Sequence, residues 1–81
     1  MQYPKVKAVQ AMDDYTLVVT FDNKQKKRYD VKPLLNRDDF DLLNNIVLFR
    51  TVKVEQGGYA VVWNNTIDIA EYELWKNSCY V

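Results

Sequence analysis

Asp14 to Val31 reads DYTLVVTFDNKQKKRYDV, and its alternation decides the fold. Tyr15, Leu17, Val19 and Phe21 alternate with Thr16, Val18 and Thr20. β-Branched and aromatic residues in that period fit a pleated, half-buried surface, so this is the clearest strand in the chain. Asp22-Asn23-Lys24 follows as a hairpin turn, because Asn and Asp tolerate left-handed backbone. Lys26 to Val31 returns as the next strand, with Tyr29 and Val31 on its apolar face.

Towards the N-terminus, Val6 to Met12 reads as a first strand with Val6, Ala8 and Met12 on one face and Lys5 and Lys7 on the other. Asp13-Asp14 marks the turn after it. Strands joined this tightly predict an antiparallel meander.

Towards the C-terminus, Lys32-Pro33 ends the alternation, and Pro33-Leu34-Leu35 reads as a short turn. Asn36 stands where an N-cap would, and Asp38 and Asp39 fall in the first turn of a helix, near the positive end of its dipole. Phe40, Leu43 and Val47 give that helix a buried stripe, and it ends near Asn44-Asn45. Ile46 to Phe49 is apolar all round, so periodicity does not assign it. Thr51 to Glu55 alternates with Val52 and Val54 inward, and Gln56-Gly57-Gly58 supplies a hairpin turn. Tyr59 to Trp63 returns with Tyr59, Val61 and Trp63 on one face and Ala60 and Val62 on the other. In WNNTIDIAEYELW, Trp63 to Trp75, Asn64-Asn65 reads as a turn and Asp68 as the N-cap of a last helix. Glu71 completes a capping box, Ile67 and Tyr72 form a hydrophobic staple, and Leu74 and Trp75 cover the core. The expectation is one small α+β domain over residues 1–81 with an antiparallel sheet in the order β-β-β-α-β-β-α. Its sheet edges leave a homo-oligomer open.

A chain of 81 residues is one domain, and one this small buries only about 60 % of the surface its unfolded chain exposes. Eleven basic and eleven acidic residues cancel, which argues against a surface built as a whole to attract nucleic acid or an anionic membrane. No stretch approaches the roughly 18 apolar residues of a membrane span, and nothing at the N-terminus resembles a signal peptide. The single cysteine, Cys79, forms no internal disulfide, so a reducing cytoplasm is expected. Asn64-Asn65-Thr66 formally matches a glycosylation acceptor, which means nothing in that compartment.

Histidine is absent. This removes the commonest general base and metal ligand, and with it Ser-His-Asp and Cys-His chemistry. A structural zinc would need several Cys and His ligands. No catalytic residue, metal site or cofactor is expected, and the chain is read as not an enzyme.

Several segments together carry a resemblance. They are Tyr3-Pro4-Lys5-Val6-Lys7-Ala8-Val9, Asp14 to Phe21, Tyr29-Asp30-Val31, Phe40 to Leu43 and Phe49-Arg50-Thr51-Val52-Lys53-Val54. The most specific is Val62 to Trp75, with its tryptophan, short turn, aspartate and closing leucine-aromatic pair. In their order and spacing these resemble the bacterial family called domain of unknown function 2442, over essentially the whole chain. The Asn65-Thr66 turn departs from it, since many relatives have glycine there. The resemblance implies a small α+β domain with an antiparallel sheet. Some relatives carry a following helix-turn-helix domain, and others look like partners in toxin-antitoxin pairs. With Val81 as its last residue, this chain is expected to act through the sheet domain alone.

Two candidate surfaces follow. Trp63, Tyr72, Trp75 and Tyr80 crowd the C-terminal third; they are either core or an exposed aromatic patch that binds a protein partner. Lys24, Lys26, Lys27 and Arg28 form the one basic run, which is either a phosphate-contacting hairpin or a solvated tip whose charges discourage edge pairing. Asp38, Asp39, Asp41, Asp68, Glu71 and Glu73 are accounted for by capping and solvation rather than by acid-base chemistry. The leading expectation is a non-enzymatic protein-interaction module, regulatory or antitoxin-like. The alternative is a nucleic-acid-associated accessory domain that uses the Lys24–Arg28 hairpin.

Overall fold

The computed structural model describes residues 3–64 and 66–80. Strands β1 (Val6–Ala11), β2 (Thr16–Phe21) and β3 (Lys26–Asp30) form the expected antiparallel meander. The chain then makes two 3-10 helices, Lys32–Asn36 and Asp38–Asn44, and a single α-helical turn, α1 (Ile46–Phe49). Strands β4 (Lys53–Val54), β5 (Ala60–Val62) and β6 (Asp68–Ala70) follow, then helix α2 (Glu71–Asn77) and strand β7 (Cys79–Tyr80). The α+β class and the antiparallel pairing stand. The strands, however, form two sheets in the orders β1-β2-β3-β7 and β4-β5-β6.

The inner faces of both sheets enclose the core with Phe49 of α1 and Leu74 of α2. Leu17, Val19 and Phe21 are fully buried, as the β2 alternation requires. Fully burying a side chain of this size stabilises the fold by about 1.5–3 kcal/mol. The sheets meet where the Val6 amide donates to the Gly58 carbonyl at 2.9 Å. No helix of the described residues is long and apolar enough to cross a membrane.

Several expectations are corrected. First, a bulge between Val6 and Ala8 resets the β1 alternation. Ala8 therefore points to solvent and Val9 and Ala11 pack on the core.

Second, the expected helix at Asp38 is 3-10, and Asn36 does not cap it. Arg37 is extended, with φ −90° and ψ 143°, and separates the two 3-10 segments. The buried residues here are Phe40 and Leu43, three apart, which is the period of a 3-10 turn. Asp and Asn are also weak helix formers. Val47 is 67 % exposed, outside the expected stripe. The α-helical turn starts at Ile46, where the Asn45 side chain accepts from the Val47 amide at 3.0 Å.

Third, Asp68 lies in a strand and caps nothing. Ile67 and Ile69 are buried on either side of exposed Asp68, a period of two. Asn64 shapes the approach: its Oδ1 accepts from the amides of Thr66 and Ile67 at 2.8 and 2.9 Å. Asn65, the other half of the expected turn, lies outside the described residues. Helix α2 begins after Ala70 with no side-chain cap, and Glu71 pairs with Lys5 at 3.1 Å instead. Tyr72 is exposed, so no staple forms with Ile67.

Fourth, Tyr59 is exposed although Val61 and Trp63, expected on the same face, are buried, and Ala60, expected on the other face, is buried as well. The positive φ of the first hairpin belongs to Lys24, at 72°, rather than to Asp22 or Asn23.

Candidate functional site

A groove of about 240 Å³ runs between β6 and α2 on one side and the 3-10 pair on the other. Tyr29, Leu34, Phe40 and Ile69 give it an apolar floor, and Arg37, Asp68, Tyr72 and Glu73 a polar rim. The Tyr29 hydroxyl donates to Glu73 Oε2 at 2.9 Å. Burial, then that hydrogen bond and the Glu73 charge, push the Tyr29 phenol well above its ordinary range. It is therefore a protonated donor at neutral pH, unsuited to act as a base. Arg37 donates from both Nε and Nη2 to the Asp39 carboxylate, at 3.1 and 3.0 Å, and its guanidinium lies 5.7 Å from the Phe40 ring centre.

The groove follows an unpaired sheet edge, because β6 is the last strand of its sheet. The Trp63 amide donates to the Ile67 carbonyl at 3.0 Å, and the Glu71 amide to the Tyr59 carbonyl at 2.9 Å. In an antiparallel ladder such pairs alternate, so Ile67, Ile69 and Glu71 face β5 while the amides and carbonyls of Asp68 and Ala70 point away from it. The Ala70 carbonyl serves the first turn of α2. By that alternation the Asp68 amide and carbonyl and the Ala70 amide make no ladder bond to β5, and no turn or loop bond reaches them among the described residues.

A second concavity, of about 320 Å³, lies on the outer face of the same sheet and is lined by Lys53, Glu55, Val62, Asn64 and Asp68. Four of its five lining side chains are charged or polar, and Val62 is the apolar one. Among the described residues no group of three or more His, Cys, Asp or Glu side chains is placed to hold a metal ion.

The expected aromatic patch is divided among separate places. Trp63 is core: it stacks on Phe49 with ring centres 6.0 Å apart and donates its indole N–H to the Phe49 carbonyl at 2.8 Å. Tyr72 stands on the groove rim beside Tyr3. Trp75 packs edge-on against Phe21 and Tyr80, and Tyr80 is exposed.

The basic run is divided as well. Lys24 forms the turn, and Lys26 and Arg28 are exposed. Lys27 is 5 % exposed; its ammonium donates to the Trp75 carbonyl and lies 4.5 and 4.6 Å from the Trp75 and Tyr80 ring centres. Strand parity foretells this, since Lys27 shares its face with Tyr29. The groove residues Tyr29, Arg37, Phe40 and Ile69 escaped the sequence reading because they come from separate elements. The spacing of Ile67 and Ile69 was the available sign of β6.

Residues 6–79, nearly the whole chain, match the model of the family described as protein of unknown function (DUF2442), and the chain belongs to that family. No curated protein and no solved structure matches it.

Proposed function

We propose that this member of the DUF2442 family is a non-enzymatic protein-interaction module that holds its partner in the groove beside β6. One observation carries the reading: the unpaired amides of Asp68 and Ala70 run along a concavity with an apolar floor. A sheet edge offers main-chain hydrogen bonds to an added strand, and a neighbouring pocket gives that strand's side chains their specificity. At three residues β6 is short, which limits indiscriminate pairing.

The residue inventory supports a binding role over a catalytic one. Histidine is absent, the buried phenol keeps its proton, and Cys79 lies exposed on β7. A module without chemistry of its own acts by covering a partner's surface, as a regulatory or toxin-neutralising partner would, and a reducing cytoplasm suits its free thiol. The nucleic-acid reading has less support, because Lys27 is withdrawn from the basic hairpin.

Affinity capture from the source organism, followed by mass spectrometry, tests the reading with Ala70→Pro as control. Ala70 has φ −69°, which proline adopts, and its amide makes no bond to β5. The substitution thus removes an outward donor and leaves the sheet intact. One protein recovered with the natural chain and lost with Ala70→Pro is the expected result. Capture indifferent to Ala70→Pro, or recovery of nucleic acid alone that washes off in salt, overturns it.

A further inference from the structure

We infer that the occupant of the groove is an extended, basic segment of a partner protein that adds to β6 as a strand; this rests on the interaction-module reading above. Charge decides the chemistry. Among the described residues Arg37 is the one cation on the rim, and Asp39 already neutralises it through two hydrogen bonds. Asp68 and Glu73 make no ion pair among the described residues. Glu73 accepts a hydrogen bond from a neutral phenol, which leaves its charge uncompensated. The edge therefore presents two unbalanced carboxylates, Glu73 beside the apolar floor of the groove and Asp68 on the outer face of the sheet.

An added strand bonds to the Asp68 amide and carbonyl and to the Ala70 amide. Its side chains alternate between the two faces of the sheet. Those turned towards the groove meet Phe40, Leu34 and the Glu73 carboxylate. A lysine or arginine fits there twice over, because its aliphatic stem covers the apolar floor while its charge reaches the carboxylate. Those turned to the outer face meet Asp68, which also lines the second concavity. A segment with basic residues on alternate positions satisfies both.

The test is selection from a displayed library of random extended decapeptides against the whole chain, with affinities then measured by calorimetry. Two variants read the result: Asp68→Asn with Glu73→Gln, which removes the charge while Gln keeps an acceptor for Tyr29, and Ala70→Pro. Near-ultraviolet circular dichroism first checks that each is folded. Selected peptides should be rich in Lys and Arg, with binding weakened about tenfold by the paired amide substitutions and again by raised salt. Their binding should be lost with Ala70→Pro. Neutral or acidic binders that Ala70→Pro still abolishes overturn the basic occupant and leave the groove reading standing. Binding indifferent to Ala70→Pro, or no binder at all, overturns both. A dimer seen by sedimentation and broken by Ala70→Pro makes the occupant a second copy and overturns the inference.

Discussion

The Tyr29 hydroxyl donates to Glu73 Oε2 at 2.9 Å, and this bond, together with that from the Lys27 ammonium to the Trp75 carbonyl, ties β3 to α2. Removing the hydroxyl leaves the carboxylate without its donor. Glu73 is only half-buried, so water recovers part of the loss. Tyr29→Phe is expected to destabilise the fold by about 1 kcal/mol in urea unfolding. A change within error would show that the bond does not hold α2 in place.

The same bond carries a pH dependence. Burial first, and Glu73 second, raise the phenol of Tyr29 above its ordinary value. The folded state therefore holds that proton more tightly than the unfolded state does. The contribution is complete below the unfolded phenol's pKa of about 10 and is lost as pH rises beyond it. The melting temperature of the natural chain should fall more steeply above that pH than the melting temperature of Tyr29→Phe. Equal slopes would remove Tyr29 from the account.

Lys27 shows what the division of the basic run means energetically. Its ammonium has the Trp75 carbonyl and two aromatic faces in place of water. Lys27→Met keeps the stem and removes the charge. It should cost about 1–2 kcal/mol by thermal melting, from the lost hydrogen bond and cation–π contacts. Lys26→Met, exposed on the same strand, should stay within about 0.5 kcal/mol of the natural chain. Two equal effects would return Lys27 to the surface.

Asp68 and Asn45 both depart from the roles that local pattern suggests for them, a cap and a helix end. Asp68 followed by Glu71 has the form of a capping box, yet Asp68 is a solvent-facing strand residue. Asp68→Ala is therefore expected to change stability by less than about 0.5 kcal/mol. Asn45→Ala removes a side chain that accepts from the Val47 amide, and should cost about 1 kcal/mol. Chemical denaturation of both variants decides between the accounts, and a larger loss at Asp68 would restore the cap.

These contrasts show which parts of the fold were legible. The hairpin of β2 and β3 was, because Leu17, Val19, Phe21, Tyr29 and Val31 keep a period of two and the short turn after Phe21 sets their register. The Gln56-Gly57-Gly58 turn was, because both glycines adopt positive φ. The 3-10 pair was hidden because Phe40 and Leu43, three apart, suit an α-helix equally well until Arg37 breaks the backbone. Strand β7 has two residues, too few for a period to speak, and at β6 the Ile67–Ile69 spacing competes with the capping-box form of Asp68 and Glu71. The groove is a tertiary object: Tyr29 and Glu73 lie 44 positions apart, and no local rule brings them together.

Gly57 and Gly58 are neighbours of one type with unequal demands. At Gly58, φ is +76° and an added Cβ would lie 2.6 Å from the Val6 carbonyl oxygen. That oxygen belongs to backbone at the junction of the two sheets, where the Val6 amide bonds to Gly58, so it cannot give way without parting them. At Gly57, φ is +89° and the Cβ would meet the Tyr59 ring at 2.7 Å. That ring is exposed and can rotate aside. Gly57→Ala should therefore carry mainly the cost of left-handed backbone, about 1–2 kcal/mol. Gly58→Ala adds a backbone clash and should exceed about 3 kcal/mol, enough to unfold much of a domain this small at moderate temperature. Thermal unfolding of the two variants should separate them widely. Similar melting temperatures would mean that the close approach of Gly58 to Val6 does not hold the sheets together.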